Sequence, residues 1–598
     1  MTGHRSFTQL VRRHAQSQPR RDALVLVDDA GRERRVGYAR LDSESRTLAA
    51  WLHIHGAFGE RVLIQQPDAH QFAVSFLACL YAGAIAVPGP NPSGSHHADR
   101  RVLGIVRDAG VRFVLTDAHN AAAASQVLAL GGYGEVTCVA TDTLLSLPTA
   151  PDPADWRMPE IRPDTVALLQ YTSGSSGDPR GVAVRHANLL ANQAAIQQAL
   201  RTGPDSTVGG WLPLHHDMGL MGQLLHPLWL GGTGVLMTPI SFAKRPANWL
   251  RLISEYEVSV SGGPNFCFDL CLRKIGDEQL AGVDLGGWRI AVNGGEPVRP
   301  ETMRRFADRF APFGLPPGAL RAGYGLAEAT LLVSVTSGNG RPPRLEADRA
   351  ALEQRRLWPP AANRPSRTLS SSGQVHGLEA RIVDPEDFTV LPEGAVGEIW
   401  LRGPSVATGY WRRPPETAEG FDARTADGEH GFLRTGDLGL LQDGELYVTG
   451  RISDLIIVAG RNLHPQDLEQ AVQRVSALFG AGVAFPVESD REHVVVVQEV
   501  RPAGTGTGTD LAELATAVRE AVSREFAVQA GGVVLVRPGT VRRTTSGKLA
   551  RSAVRSLFLD DRLEALHELI DPKVRQLVRA PRRAAAAGEA APWKERAA

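Results

Sequence analysis

Short apolar runs alternate with helical patterns through the first half of the chain. "RVLIQQ" (61–66) reads as a strand. "HQFAVSFLACLYAGAIAVP" reads as a buried helix that ends at a glycine and passes into a strand, and "VRFVLTD" as another strand. After a proline-rich surface connection, "PTAPDPADW" (148–156), the same rhythm runs from 166 to 330. This alternation predicts α/β units on a largely parallel sheet. A chain of 598 residues is too long for one core, so two or more domains are expected.

Residues 336–372 break the rhythm. They are rich in proline, arginine and glycine, with one short helical pattern at about 345–356, and read as a long insertion. The β-like runs "LEARIVD", "GEIWLRG" and "GELYVTG" follow it. A small α+β unit then begins near Arg451, with helical patterns at 465–478 and 510–526 between the strands "DLIIVAG", "HVVVVQEV" and "GGVVLVRPGTV". The expected division is 1–450, 451–577 and an Ala/Arg-rich tail at 578–598.

Lysine plus arginine equals aspartate plus glutamate at 65 each, so no global basic field points to nucleic acid or an anionic membrane. The N-terminus has no apolar signal core, and no apolar run reaches the roughly 18–20 residues of a membrane helix. A cytoplasmic enzyme with no integral membrane segment is expected. Four cysteines in this length make no disulfide framework. Cys267 and Cys271 sit one helical turn apart, without further ligands at metal-site spacing, and read as packing.

"YTSGSSGDPRGV" (171–182) lies between the apolar strand "VALLQY" and the strand–helix pattern "VAVRHANLLANQAAIQQAL". Its glycines let backbone approach a ligand closely, and its hydroxyls and N–H groups suit phosphate oxygens. It is not a Walker loop, because no Gly-Lys-Ser/Thr follows at the required spacing. Read alone it is also compatible with a flexible turn. Other runs accompany it in order: "GGEPV" (294–298), "GYGLAEAT" (323–330), "LRTGDLG" (433–439) with "TGRISDLIIVAGRN" (449–462), and "RRTTSGKLAR" (542–551).

With these motifs the chain, from about residue 5 to 577, resembles the adenylate-forming superfamily of acyl-CoA synthetases, nonribosomal adenylation domains and luciferases. The resemblance implies a large multi-subdomain N-terminal domain of β-sheets flanked by helices, plus a small mobile C-terminal domain. It also implies a first reaction in which a carboxylate attacks the α-phosphate of ATP, giving an acyl-adenylate and pyrophosphate. Thr172, Ser173, Gly174, Ser175, Ser176 and Gly177 would enclose the β- and γ-phosphates. Arg180 stands where most relatives have lysine. Gly295, Glu296 and Pro297 would form one wall of the adenine pocket, and Gly323, Tyr324 and Gly325 the other. Ala329 or Thr330 would lie near the α-phosphate. Glu328 would be the Mg²⁺ carboxylate. Asp437 would accept from both ribose hydroxyls and Arg451 donate to the same ribose; taken singly, Asp437 is equally a turn aspartate. Lys548, by itself an ordinary surface lysine, would reach the α-phosphate and carboxylate oxygens. The hinge position holds Ser453, followed by Asp454, where the family commonly has Asp or Lys.

"WLPLHHDMGLMGQLLHPLWLGG" (211–232), "SGGPNFCFDLC" (261–271) and the insertion ending in "SSSGQV" resemble one branch, the fatty acyl-AMP ligases. That branch passes the acyl group to the phosphopantetheine thiol of an acyl carrier protein. The insertion is thought to pack against the small domain and hinder the movement that admits coenzyme A. His216 would border the acyl pocket near the reacting carboxylate, or be structural. Met218, Met221, Met237, Phe266 and Phe268 would line an apolar pocket, or be core. Asp269 is the one acid near the segment where amino-acid-activating relatives bind an α-amino group. No carrier domain is attached, so transfer to a separate carrier chain is expected. The alternatives are an acyl-CoA synthetase and a non-catalytic nucleotide- or acyl-binding protein on the same fold.

Overall fold

The structure is a computed structural model and describes residues 6–92, 96–173, 179–338, 340–458, 461–488, 492–501, 510–543 and 549–578. It divides into two compact units, with the break between Ser453 and Asp454.

The first unit holds two mainly parallel sheets. A six-stranded sheet is ordered Thr137–Ala140, Phe113–Thr116, Arg61–Ile64, Ile85–Pro88, Val166–Ser173 and Pro179–Arg185. Only its last pair is antiparallel. A nine-stranded sheet places Leu320–Gly325, Ile290–Asn293, Val260–Gly263, Thr207–Gly210, Thr233–Met237 and Asp22–Val27 side by side and parallel, with antiparallel strands at both edges. A third, antiparallel sheet is built from Glu379–Val383, Gly397–Arg402, Leu433–Gln442 and Glu445–Arg451.

Sequence dictates these choices locally. Parallel strands are covered on both faces, so they read as unbroken apolar runs; Ile85–Pro88 and Phe113–Thr116 are buried at every position. The helix Ala69–Ala82 is apolar nearly all round and packs in the main core with Leu220 and Leu224. Asp68 caps its start by accepting from the Gln71 N–H, and Gly83 ends it at φ +67°. The connection at 148–156 is held by its aromatic residue: Trp156 is buried and donates to the Tyr81 carbonyl at 3.0 Å.

The insertion contains more strand than its helical pattern suggests. Arg344–Asp348 pairs antiparallel with Ser366–Ser370, and the helix covers only Arg349–Glu353. Asp348 is the reason, since its carboxylate caps the Ala351 N–H at 2.9 Å and so starts the helix four residues later than the pattern does. The insertion is fastened to the antiparallel sheet by Arg367, which donates to the Thr449 carbonyl at 2.9 Å, and by Ser371, which donates to Glu445.

In the second unit, Phe479–Glu488, Glu492–Val500, Ala530–Val536 and Ala565–Ile570 form a mixed sheet, with helices Pro465–Gln473 and Leu511–Phe526 packed on it. Arg551 grips both oxygens of Glu469 at 2.6 and 2.8 Å and reaches Asp454 at 3.3 Å. Among the described residues no helix is long and apolar enough to cross a membrane.

Candidate active site

Two antiparallel strands run into the phosphate-loop motif from either side. Val166–Ser173 pairs with Pro179–Arg185, with Thr172 opposite Arg180. Gly174, Ser175, Ser176 and Gly177 lie outside the described residues. The hairpin base is tied down: the Tyr171 hydroxyl donates to Asp108 at 2.7 Å, and Asp108 also receives Arg413 at 2.7 Å.

Two further motifs meet at the ends of adjacent parallel strands. Ile290–Asn293 runs beside Leu320–Gly325, so Gly294 and Gly295 emerge next to Gly323. A Cβ on Gly294 would come within 2.9 Å of the Gly323 carbonyl oxygen. Gly295 takes φ +81°, in the left-handed region that glycine occupies without strain. Glu296 follows and accepts from the Phe266 N–H at 2.6 Å, which joins "GGEPV" to the "GGPNF" segment.

Tyr324, Asp437 and Arg451 form one cluster. The Tyr324 hydroxyl donates to one Asp437 oxygen at 2.7 Å and Arg451 Nε to the other at 2.8 Å. Asp437 is 5% exposed, and its strand partner is Arg451 itself. Burial and the neighbouring carboxylate push the Tyr324 phenol well above its usual range, while Asp437 holds the Arg451 guanidinium charged.

Glu328 and Thr330 sit in the turn after Tyr324. Thr330 has φ +71° and ψ −57°, and the Leu331 N–H donates back to Ala329 at 2.9 Å: a γ-turn of the rare, strained kind. The Thr330 hydroxyl is committed to the Ser405 carbonyl at 2.7 Å, and Ala329 is fully buried. Asn192 clamps the turn from outside, donating to Leu332 and accepting from its N–H at 3.0 and 3.2 Å. Gly325 lies underneath, where a Cβ would fall 1.9 Å from the Leu331 carbonyl oxygen. Gly325→Ala is therefore expected to displace this turn and cost about 2–4 kcal/mol of stability, read as a lowered denaturation midpoint.

The Glu328 carboxylate accepts from the Tyr410 hydroxyl at 3.0 Å, and the Arg180 guanidinium lies 5.7 Å from the Tyr410 ring centroid. Burial raises the Glu328 carboxyl above its ordinary value, opposed by the Tyr410 bond and the charge of Arg451. Among the described residues no three His, Cys, Asp or Glu side chains cluster in a metal-binding arrangement. One carboxylate without protein co-ligands fits Mg²⁺, which takes one or two carboxylates and fills its shell with phosphate oxygens and water.

The "HHDMGL" motif opens an irregular helix. Met218–Leu225 is a π-helix that runs into the α-helix His226–Leu230, and such segments concentrate at functional sites. Asp217 caps it at the Met218 N–H, 2.7 Å away. A Cβ on Gly219 would meet the Pro213 carbonyl at 2.3 Å, so the close turn needs glycine there. The rings of His215 and His216 lie 4.5 Å apart. Burial, with the charges of His216 and Arg101, drives the His215 imidazole far below its ordinary value, so it is neutral.

Met221 and Phe268 are fully buried and Met237 nearly so, which makes them core; Met218 and Phe266 are half-buried at the core's edge. Cys267 and Cys271 are buried on the helix Asn265–Lys274, as packing residues. Asp269 accepts from Thr302 at 2.8 Å and from Asn265 at 3.1 Å, so its carboxylate is engaged in fastening that helix. Tyr410, Asn192 and the π-helix carry no motif signal in one sequence. A tyrosine following glycine in "ATGYW" is the nearest hint of the first. Lys548 lies outside the described residues.

The chain is similar to several known proteins. The sequence profile described as "AMP-binding enzyme" matches residues 11–411. The medium-chain-fatty-acid–acyl-carrier-protein ligase JamA of Moorena producens is 38% identical over 94% of this chain and 96% of its own. The long-chain-fatty-acid–AMP ligase FadD26 of Mycobacterium marinum is 36% identical over 93% of this chain and 98% of its own. A crystal structure of the Legionella pneumophila fatty acyl-adenylate ligase with acyl adenylate and pyrophosphate superposes with a TM-score of 0.73 at 33% identity, covering 95% of this chain and 98% of that one.

Proposed function

The chain belongs to the AMP-binding enzyme family, and on that premise we propose that it activates a fatty acid with ATP and passes the acyl group to the thiol of a separate acyl carrier protein. The observation that carries this reading is the convergence of Tyr324, Glu328, Asp437 and Arg451. Tyr324 comes from the nine-stranded sheet, Glu328 from the turn after it, and Asp437 and Arg451 from paired strands of the antiparallel sheet, with the phosphate-loop hairpin linked to Glu328 through Arg180 and Tyr410. Relatives named for fatty-acid–AMP and fatty-acid–carrier-protein ligation support the substrate class and the acceptor.

In this reading the fatty carboxylate attacks the α-phosphorus of ATP and pyrophosphate leaves. The phosphate loop would hold the β- and γ-phosphates through its N–H and hydroxyl groups. The glycine walls would take the adenine ring, and Asp437 with Arg451 the ribose. Mg²⁺ neutralises phosphate charge when bound, and Glu328 would hold it. Tyr410 keeps the Glu328 carboxylate aimed, and its hydrogen bond opposes the rise that burial gives the carboxyl. His216 would border the carboxylate end of the acyl pocket, with Met218 and Phe266 the apolar residues at its rim.

Mass-spectrometric product analysis tests the reading. The protein, ATP, Mg²⁺ and a panel of fatty acids are incubated alone, with coenzyme A, and with a phosphopantetheinylated carrier. Acyl-AMP that coenzyme A leaves unconverted but the carrier consumes is the expected result. Rapid acyl-CoA formation would replace it with an acyl-CoA synthetase.

Tyr410→Phe tests the Glu328 arrangement. The hydroxyl donates to the ionised carboxylate and lowers its pKa; removing it leaves burial unopposed by that bond, so the pKa rises further. More Glu328 is then protonated at any given mildly acidic pH. The acid limb of the pH–rate profile should move to higher pH, with roughly 3- to 10-fold weaker apparent Mg²⁺ affinity at neutral pH. An unmoved acid limb would exclude Tyr410 from this role.

A further inference from the structure

The helix His96–Ala109 lies along the two strands that flank the phosphate-loop motif. Its apolar face, Val102, Ile105, Val106 and Ala109, packs with Leu169 and Tyr171 of the first strand and Ala183 of the second. The flank beside that face holds Arg101, Gly104 and Asp108, at the three- and four-residue spacing that stacks side chains along a helix.

Two contacts fix the register of that flank. Asp108 accepts from the Tyr171 hydroxyl at 2.7 Å. One turn nearer the helix start, a Cβ on Gly104 would come within 3.2 Å of the Pro179 side chain, and Pro179 pairs with Ser173. Each step back along the helix is therefore a step toward the strand ends from which the phosphate-loop motif continues. Arg101 is the next step, and helical side chains lean further toward the helix N-terminus.

A second segment closes on the same place. Gln170, one residue before Tyr171, donates to the His215 carbonyl at 2.9 Å and so ties the first strand to "HHDMGL". The Arg101 charge is one of the causes that hold the buried His215 imidazole neutral. Arg101 thus stands between the phosphate-loop strands and the histidine motif.

Its own charge is uncompensated. Arg101 is half-buried, burial works against the charged form, and no carboxylate offsets that. Among the described residues its guanidinium takes part in no hydrogen bond or ion pair. Its nitrogens keep accessible surface, so an anion can reach them. Arginines of like exposure in this unit are held by acids: Arg12 and Arg46 by Asp42, Arg413 by Asp108, Arg434 by Glu398. The helix dipole does not account for Arg101 either, because it lies in the N-terminal half of its helix, the end that favours anions. Partial desolvation without a partner costs free energy that an incoming anion offsets.

Building on the reading of this site as one that binds ATP, we propose that Arg101 is a further phosphate-binding residue, its guanidinium holding the β- and γ-phosphate oxygens of ATP and the pyrophosphate that leaves. Guanidinium forks match phosphate oxygens in pairs.

Calorimetric titration of the full chain with Mg²⁺-ATP, pyrophosphate and AMP tests this, and it needs neither the fatty acid nor its acceptor. Arg101→Ala should weaken ATP and pyrophosphate about 10- to 100-fold and leave AMP within about twofold, with an unchanged denaturation midpoint. Arg101→Gln, which keeps most of the side chain without its charge, should match it and serves where the smaller residue unsettles the helix. Arg101→Lys should recover part of the loss. Undiminished binding of ATP and pyrophosphate in Arg101→Ala and Arg101→Gln overturns the proposal while the nucleotide reading stands. So does equal weakening of ATP and AMP, which would put the arginine elsewhere than at the β- and γ-phosphates. A wild-type protein that binds neither ATP nor pyrophosphate overturns both.

Discussion

Lys548→Ala is expected to lower acyl-adenylate formation by about 10²–10³-fold or more while leaving the second half-reaction largely intact. The reaction brings a carboxylate anion onto a phosphorus already surrounded by anionic oxygens. Charge develops on those oxygens as the bond forms, so a cation aimed there stabilises the transition state more than the ground state. The "TTSGKLAR" motif assigns that cation to Lys548 by resemblance. Arg551, three residues on, is committed to Glu469 and Asp454. The two residues should therefore separate by readout: Arg551→Ala destabilises the second unit, whereas Lys548→Ala leaves its denaturation midpoint unchanged. ATP–pyrophosphate exchange measures the first half-reaction. Transfer from synthetic acyl-adenylate to a carrier thiol measures the second. Exchange at the wild-type rate in Lys548→Ala would remove the lysine from the chemistry.

The sequence was most informative where one local rule decides the outcome. Unbroken apolar runs gave the parallel strands, and the helix Ala69–Ala82 stops at Gly83 as its sequence predicts. The two units divide between Ser453 and Asp454. It was least informative where two rules compete. In the insertion, a helical pattern at 345–356 lost its first turn to pairing between Arg344–Asp348 and Ser366–Ser370, and partners about twenty residues apart are invisible to a local reading. In the site, spacing marks the glycines and charged residues but not what holds them. Tyr410 bonds Glu328 across 82 positions of chain, and Asn192 reaches the turn at Ala329–Leu332 across about 140. Polar side chains that serve a motif from a distance have no periodicity of their own. The apolar lining was ambiguous for the opposite reason: Met221 and Phe268 look like pocket residues because pocket and core share one chemistry, and only burial separates them.

Asp437→Asn should cost about 10²-fold in kcat/KM for ATP, concentrated in KM, and should erase discrimination between ATP and its deoxy analogues. The amide keeps the size of the carboxylate but loses its charge, and an NH₂ replaces one acceptor oxygen. The two oxygens receive Tyr324 and Arg451 in this structure; on the proposed reading they accept from the ribose hydroxyls as well. Hydrogen bonds to a charged group contribute about 1.5–3 kcal/mol each, and about 3 kcal/mol corresponds to roughly 10²-fold. A structural role predicts something different. At 5% exposure, with two donors left facing an amide, the protein would lose stability, and every substrate would suffer alike. The comparison that separates them is kcat/KM for ATP against 2′-deoxy-ATP and 3′-deoxy-ATP. Wild type should discriminate against both analogues, because each leaves an acceptor unpaired. In Asp437→Asn the ratios should fall toward one, since the group that reads the hydroxyls is gone. If the variant discriminates as strongly as wild type, the ribose is read by another residue, and Asp437 serves only to join Tyr324 to Arg451.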